Sequence, residues 1–218
     1  MNLRPVTLWG FAAAAATAIL AAALYGRLPE AVPVHWGLGG GANGFVNKPL
    51  GPFLFPGIIA ALALLGTLLP AIAPRGFELS GFTKAFDLIT LATVGFMTFI
   101  ALVVDAEALG FPVSPGHLVG IAAGALLIAL GNVMGKTRRN FFVGFRTPWT
   151  LASEEVWSRT HRFGGRLLVM CGLVFCAVSP LGVELIIPFA ITLAASVAVI
   201  IYSYVIYRRL EPGNGPRS

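Results

Sequence analysis

The sequence predicts an all-α membrane protein, a polytopic bundle of about six transmembrane helices with both termini in the cytoplasm. Three observations support this prediction: an apolar composition, six long apolar segments and an uneven distribution of basic residues. Apolar residues make up 57% of the 218 positions and charged residues only 11%, whereas roughly 25% of the residues in soluble domains are charged. Such a chain cannot cover itself with polar surface, so we expect the lipid bilayer to be its main partner.

Six apolar segments are long enough to cross about 30 Å of hydrocarbon, which takes roughly 20 helical residues. The fifth is short, and we expect its helix to begin near Phe163. The first follows Arg4 and resembles a signal peptide, but its apolar stretch is longer than a signal core and further spans follow, so we interpret it as an uncleaved helix. The segments are residues 6–25, 53–73, 86–104, 117–134, 167–180 and 185–207.

The lysines and arginines indicate the orientation, because cytoplasmic connections are enriched in them. With the amino terminus inside, every basic residue except Arg27 and Lys48 falls on an inside segment. The net charge of +6 does not indicate direct nucleic-acid binding, because the bases lie between apolar runs and not on a wettable face. We therefore expect a multi-pass protein of the bacterial cytoplasmic membrane.

Two regions follow from this layout. Residues 1–73 are predicted to form a helix pair joined by an extracytoplasmic Pro/Gly-rich loop, residues 27–50. Residues 74–218 are predicted to form four helices with a cytoplasmic loop, residues 136–166. In the fourth segment, glycines four residues apart indicate close helix packing: Gly120, Gly124, Gly131 and Gly135.

The outer loop is predicted to be compact, because prolines hold it extended and glycines within residues 37–44 permit turns. His35, next to Trp36, is a candidate ligand contact or pH-sensitive group. Alternatively, Trp36 anchors at the lipid headgroups and His35 hydrogen-bonds a neighbouring carbonyl. Glu30 is the only other nearby metal-ligand type, so no metal site is indicated.

The inner loop is predicted to contain a short helix at the membrane interface. Either Thr150 or Ser153 can cap its amino end, and Glu154 and Glu155 would be favourable in its first turn. Trp157 would then point toward the lipid or toward the helix bundle.

Charged residues of the inner loop allow two further interpretations. Glu154 and His161 share one helical face near Arg146, as in an acid–base pair beside an anion clamp. That arrangement would suit a membrane enzyme, although no nucleophile, phosphate loop or HExxH motif accompanies it and no cofactor is indicated. In the structural alternative, Arg146 and the pair Glu154 and Glu155 tie the loop to the ends of neighbouring helices.

A transporter of a small or lipidic compound is a third possibility. Ion-coupled carriers place ionisable residues near the bilayer midplane, and none of the six segments has a charged residue at its centre. Coupled transport is therefore disfavoured. A polar cavity between the helices would support passage of a small compound.

The inner loop also contains a long motif of mixed composition. It comprises Gly144-Phe145-Arg146-Thr147-Pro148-Trp149-Thr150-Leu151, Ser153-Glu154-Glu155, Trp157 and Thr160-His161-Arg162-Phe163-Gly164-Gly165. These residues resemble the signature of the SdpI family of bacterial membrane proteins. The outer loop, residues 33–48, is similar to a small uncharacterised domain that precedes this signature in many members.

The resemblance implies immunity of a producer cell against its own secreted antimicrobial peptide, together with signalling that draws a transcriptional repressor to the membrane. It assigns toxin contact to the outer loop around His35 and Trp36, and contact with a cytoplasmic repressor or other protein to residues 146–166. The candidate functional residues are His35, Trp36, Arg146, Thr147, Trp149, Ser153, Glu154, Glu155, Trp157, His161 and Arg162.

Overall fold

Six long helices dominate the computed structural model, which describes residues 4–37 and 41–210. Within these residues, each of the six is long and apolar enough to cross a membrane. A short helix precedes the fifth of them. In chain order the helices are α1 Pro5–Leu24, α2 Leu50–Leu68, α3 Thr83–Ala108, α4 Pro115–Met134, α5 Pro148–Ala152, α6 Glu154–Val178 and α7 Ile186–Leu210. The prediction of a helical, multi-pass membrane protein is confirmed.

Helix α6 is longer than the sequence predicts. It begins at the predicted cap, where the Ser153 hydroxyl accepts a hydrogen bond from the backbone N–H of Val156 at 3.4 Å. It then continues without a break to Val178, because no proline interrupts it. The expected interfacial helix and the fifth span are therefore one helix, and the expectation that the interfacial helix ends before the span is wrong.

The outer loop forms a β-hairpin, which the all-α prediction did not include. Strand β1, Ala31–Trp36, pairs antiparallel with strand β2, Ala42–Asn47. Val32 is fully buried against Ile100 and Val104 of α3, so the hairpin is packed onto the helix bundle. Of the predicted glycine-rich stretch 37–44, residues 38–40 lie outside the described residues.

The helices pack in two groups that meet where α3 contacts α4. Helices α1, α2 and α3 contact one another, and α6 contacts both α4 and α7. Helices α4 and α6 approach closely, since a Cβ atom on Gly131 would lie 2.5 Å from the carbonyl oxygen of Gly165. Gly124 faces Gly172 in the same way at 2.6 Å. The predicted close packing of the α4 glycines is confirmed at these positions.

One end of the bundle brings together the inner loop and the connection between α2 and α3. The rings of Phe77 and Phe141 lie 4.4 Å apart between centroids, and Arg4 forms an ion pair with Asp87 at the starts of α1 and α3. Following the charge distribution, we name this end the cytoplasmic face. The hairpin lies at the other end, the outer face.

Candidate functional site

The inner loop is built around a buried asparagine. The Asn140 side-chain amide donates to the carbonyl oxygens of Arg138 at 2.8 Å and Val143 at 3.2 Å. Its side-chain oxygen accepts from the backbone N–H groups of Phe142 and Val143, each at 2.8 Å. Asn140 is fully buried, so it replaces the hydrogen bonds that this irregular backbone cannot make for itself.

Trp157 and His161 lie beneath this loop and are fully buried. Their rings stack, with centroids 3.9 Å apart and planes 17° apart. The Trp157 indole N–H donates to the carbonyl oxygen of Thr137 at 3.1 Å. Of the two orientations expected for Trp157, the structure therefore has the one toward the bundle.

Both ring nitrogens of His161 are engaged. Nδ1 donates to the carbonyl oxygen of Trp157 at 2.8 Å, which leaves Nε2 to accept from the backbone N–H of Phe145 at 2.9 Å. These two bonds together require a neutral imidazole with its hydrogen on Nδ1. Gly144, at φ +110°, lies so close to Nε2 that a side chain would not fit there. His161 therefore holds the loop onto α6.

Three further motif residues, Thr147, Trp149 and Ser153, form hydrogen bonds within the structure. Thr147 caps α5: its hydroxyl accepts from the Thr150 N–H at 3.2 Å, and the Thr150 hydroxyl accepts from the Thr147 N–H at 2.9 Å. The Trp149 indole N–H donates to the hydroxyl of Ser203 on α7. Thr147, Trp149 and Ser153 thus position the loop and the start of α6.

Arg146, Glu154 and His161 bind different partners. Arg146 donates to the carbonyl oxygen of Phe141, Glu154 accepts from Arg139 at 2.8 Å, and His161 is buried. These three side chains therefore do not form the acid–base cluster that the enzyme interpretation requires.

The predicted tie between the inner loop and a neighbouring helix exists, but with a different arginine; we name this ion pair of Arg139 and Glu154 the latch. Arg139 pairs with Glu154 and also donates to the carbonyl oxygen of Leu151 at 3.1 Å. Glu155 pairs with Arg159 of its own helix at 2.5 Å. The expectation that Arg146 and Glu155 also tie the loop to neighbouring helix ends is wrong: Arg146 bonds to Phe141 within the loop, and Glu155 bonds within α6.

A polar cleft of about 640 Å³ lies beside this latch. It is bounded by the connection before α3, the end of α4 and the start of α6. Glu78 lies on its wall, and the backbone N–H of Gly76, which donates to it at 2.9 Å, holds the pKa of that carboxyl below its ordinary value. The charged residues that line the cleft are Glu78, Lys136, Arg138, Arg139, Glu154 and Glu155. With three acids and three bases, the cleft suits a polar partner of mixed charge.

The two outer candidates lie at the end of β1. His35 is exposed, and its Nδ1 lies 2.6 Å from the side-chain oxygen of Asn43. The indole N–H of Trp36 donates to the Glu107 carboxylate in the last turn of α3 at 2.7 Å. Trp36 thus ties the hairpin to α3, whereas His35 stays accessible.

Two apolar cavities lie among the transmembrane helices. One, of about 280 Å³, is covered by Val34 and Trp36 and extends down to Phe96. The other, of about 430 Å³, lies between α3 and α4 and also reaches Phe96. Since alanine, glycine and large apolar residues line the second cavity, it is not the polar cavity that would favour a transporter.

Comparisons with known proteins match both loops. The model described as the SdpI/YfhL protein family matches residues 136–204, and that of a domain of unknown function, DUF1648, matches residues 12–60. The protein named Immunity protein SdpI from Bacillus subtilis (strain 168) is 31% identical over 196 residues, which is 89% of this chain and 90% of that protein. No solved structure matches. The resemblance that the two loops suggested is confirmed.

Proposed function

Since the chain belongs to the SdpI/YfhL protein family, we propose that it is an immunity-type protein of the bacterial cell membrane. In this proposal it protects the cell that makes it from a secreted antimicrobial peptide. The observation that carries the proposal is the 31% identity to an immunity protein across 89% of this chain. The match includes both loops, so it concerns the whole architecture and not one helix.

We assign peptide contact to the outer hairpin. His35 is exposed and Phe45 is 56% exposed there. The backbone beneath them is held by buried Val32 and by the bond from Trp36 to Glu107. A surface that is ordered before binding loses little conformational entropy when a partner binds.

Growth under peptide challenge tests the proposal. A susceptible strain would express the wild-type protein, His35→Ala or Trp9→Ala at matched membrane levels. Trp9 is the control, because it is 63% exposed on α1 far from the hairpin. We expect wild type and Trp9→Ala to protect, and His35→Ala to lower the tolerated peptide concentration about tenfold, the effect of losing about 1.4 kcal/mol of binding. Wild type that protects against no membrane-active peptide would overturn the proposal.

We also propose that the cytoplasmic face signals by binding a repressor or another cytoplasmic protein. Arg146, Glu154 and Glu155 are exposed there, and the last two border the polar cleft. Buried Trp157 and His161 would act indirectly, because they position the backbone that presents these charges.

A reporter driven by the promoter of this chain's own gene separates signalling from protection. We expect the double variant Arg146→Gln/Glu155→Gln to lose peptide-dependent induction while protection persists. Lys84→Gln, an exposed charge at the start of α3, should retain both. Normal induction in the double variant would contradict the assignment.

A further inference from the structure

Three arginines of α6 surround a small pocket beside α7. Arg159, Arg162 and Arg166 are three and four residues apart, a spacing that places them on one side of a helix. With Phe163 and Tyr202 they line a space of about 200 Å³. The rings of Phe163 and Tyr202 lie 4.4 Å apart between centroids and form its apolar wall.

The positive charge of this pocket is only partly neutralised. Glu155 pairs with Arg159, whereas Arg162 and Arg166 form no ion pair with any residue in the described part of the chain. The aliphatic stem of Arg162 passes over Gly135 at the end of α4, where a Cβ atom would lie 3.1 Å from its Cγ. Both arginines are exposed, so their guanidinium groups are available to an anion.

The pocket lies where α6 enters the bilayer. Before the pocket, the helix carries Glu154 and Glu155; after it, residues 167–178 contain no charged side chain. The change from charged to apolar sequence places Arg162 and Arg166 at the level of the headgroups. The cytoplasmic leaflet holds anionic lipids, which attract such residues.

We propose that this pocket binds the phosphate group of an anionic phospholipid. Arg162 and Arg166 would donate charge-assisted hydrogen bonds to the phosphate oxygens, which the forked guanidinium group matches in geometry. Phe163 and Tyr202 would contact the glycerol and the upper acyl chain. Basic pockets between transmembrane helices on this side of a membrane are typical sites for lipid headgroups.

Lipid retention tests this proposal directly. The protein would be placed in phosphatidylcholine nanodiscs with a minor fraction of phosphatidylglycerol, and retained lipid counted by native mass spectrometry. We expect Arg162→Gln/Arg166→Gln to reduce phosphatidylglycerol retention about tenfold, equivalent to about 1.4 kcal/mol. Arg75→Gln/Lys84→Gln is the matched control, since it removes two exposed charges from the same face outside the pocket, and should behave as wild type. Equal retention in both double variants would overturn the proposal.

Two further measurements use the wild-type protein, so they do not depend on whether a variant folds. They also distinguish a lipid phosphate from a free phosphate. Inorganic phosphate or glycerophosphate at millimolar concentration should not displace the lipid from the wild-type protein; displacement would indicate a free-phosphate site and overturn the lipid assignment. Photoactivatable phosphatidylglycerol should label wild-type peptides that contain residues 159–166 or Tyr202. Labelling spread evenly over the transmembrane helices would also overturn it.

Discussion

The inner loop and the outer hairpin both join transmembrane helices, yet they are held in different ways. In the inner loop, the side chains of Asn140 and His161 are buried and bonded to nearby backbone. On the hairpin, by contrast, His35 pairs with Asn43 at the surface, and Trp36 bonds to Glu107. The inner-loop motif therefore serves mainly to hold the fold. The side chains that a partner can reach are His35 on the hairpin and the exposed charges of the cytoplasmic face.

Among these substitutions, replacing Trp157 in the inner loop should destabilise the folded protein most. Trp157→Ala removes a fully buried ring and its bond to Thr137, and we expect it to lower the free energy of unfolding by about 3–5 kcal/mol. Thermal or chemical unfolding in detergent would measure the loss. Trp9→Ala, at an exposed site, should change stability by less than about 0.5 kcal/mol. Equal losses in the two variants would contradict the architectural role of the loop.

Replacing Asn140 tests whether buried hydrogen bonding holds the loop. Asn140→Ala leaves the N–H groups of Phe142 and Val143 without acceptors, so we expect a loss of about 2–3 kcal/mol. The control is Asn132→Ala, because Asn132 is exposed and its amide donates to the carbonyl oxygen of Ile128 within its own helix. Hydrogen exchange should also quicken at residues 142 and 143. A stable variant with unchanged exchange would show that Asn140 is dispensable.

The glycine contact beneath the loop gives a third test. Gly131→Ala places a methyl group 2.5 Å from the carbonyl oxygen of Gly165, and we expect about 1–2 kcal/mol of destabilisation from overpacking. Gly57→Ala is the control in α2, where nothing lies within 4 Å; there alanine should stabilise the helix by up to about 1 kcal/mol. If both substitutions had the same sign, the close approach of α4 and α6 would be in doubt.

The smallest expected effect comes from the surface latch. Glu154→Gln removes the ion pair with Arg139. The side chain of Glu154 is 53% exposed and that of Arg139 31%, so we expect the free energy of unfolding to fall by only about 0–1 kcal/mol. Unfolding of the variant at low and high salt would measure it. Unchanged stability together with lost protection or signalling would instead favour a functional role for Glu154 itself.

Hydropathy predicts most of the helical fold, because each span must satisfy the same physical requirement of length and apolarity. It fails at the polar start of α6, where Arg159 and Arg162 suggested a connection although the helix continues. It also misses the hairpin. The proline and glycine in these short strands obscure the alternating pattern, although Val32 faces the bundle as a strand residue would.

The site is less predictable than the fold, since its contacts join residues that are distant in sequence. The motif itself indicated Trp157 and His161, but their partners Thr137 and Phe145 follow from tertiary packing. Arg139 was overlooked in favour of Arg146 for the same reason. A polar asparagine after two arginines gives no local sign that Asn140 will be buried.

The most direct test asks whether Asn140 holds the fold while His35 contacts the peptide. Protection and the amount of folded protein in the membrane would be measured in the same cells for His35→Ala and Asn140→Ala, and protection per folded molecule compared. We predict that Asn140→Ala lowers the amount of folded protein but keeps protection per molecule, whereas His35→Ala keeps the amount and loses protection. A His35→Ala protein that protects fully, with an Asn140→Ala protein that folds normally but fails to protect, would contradict the account.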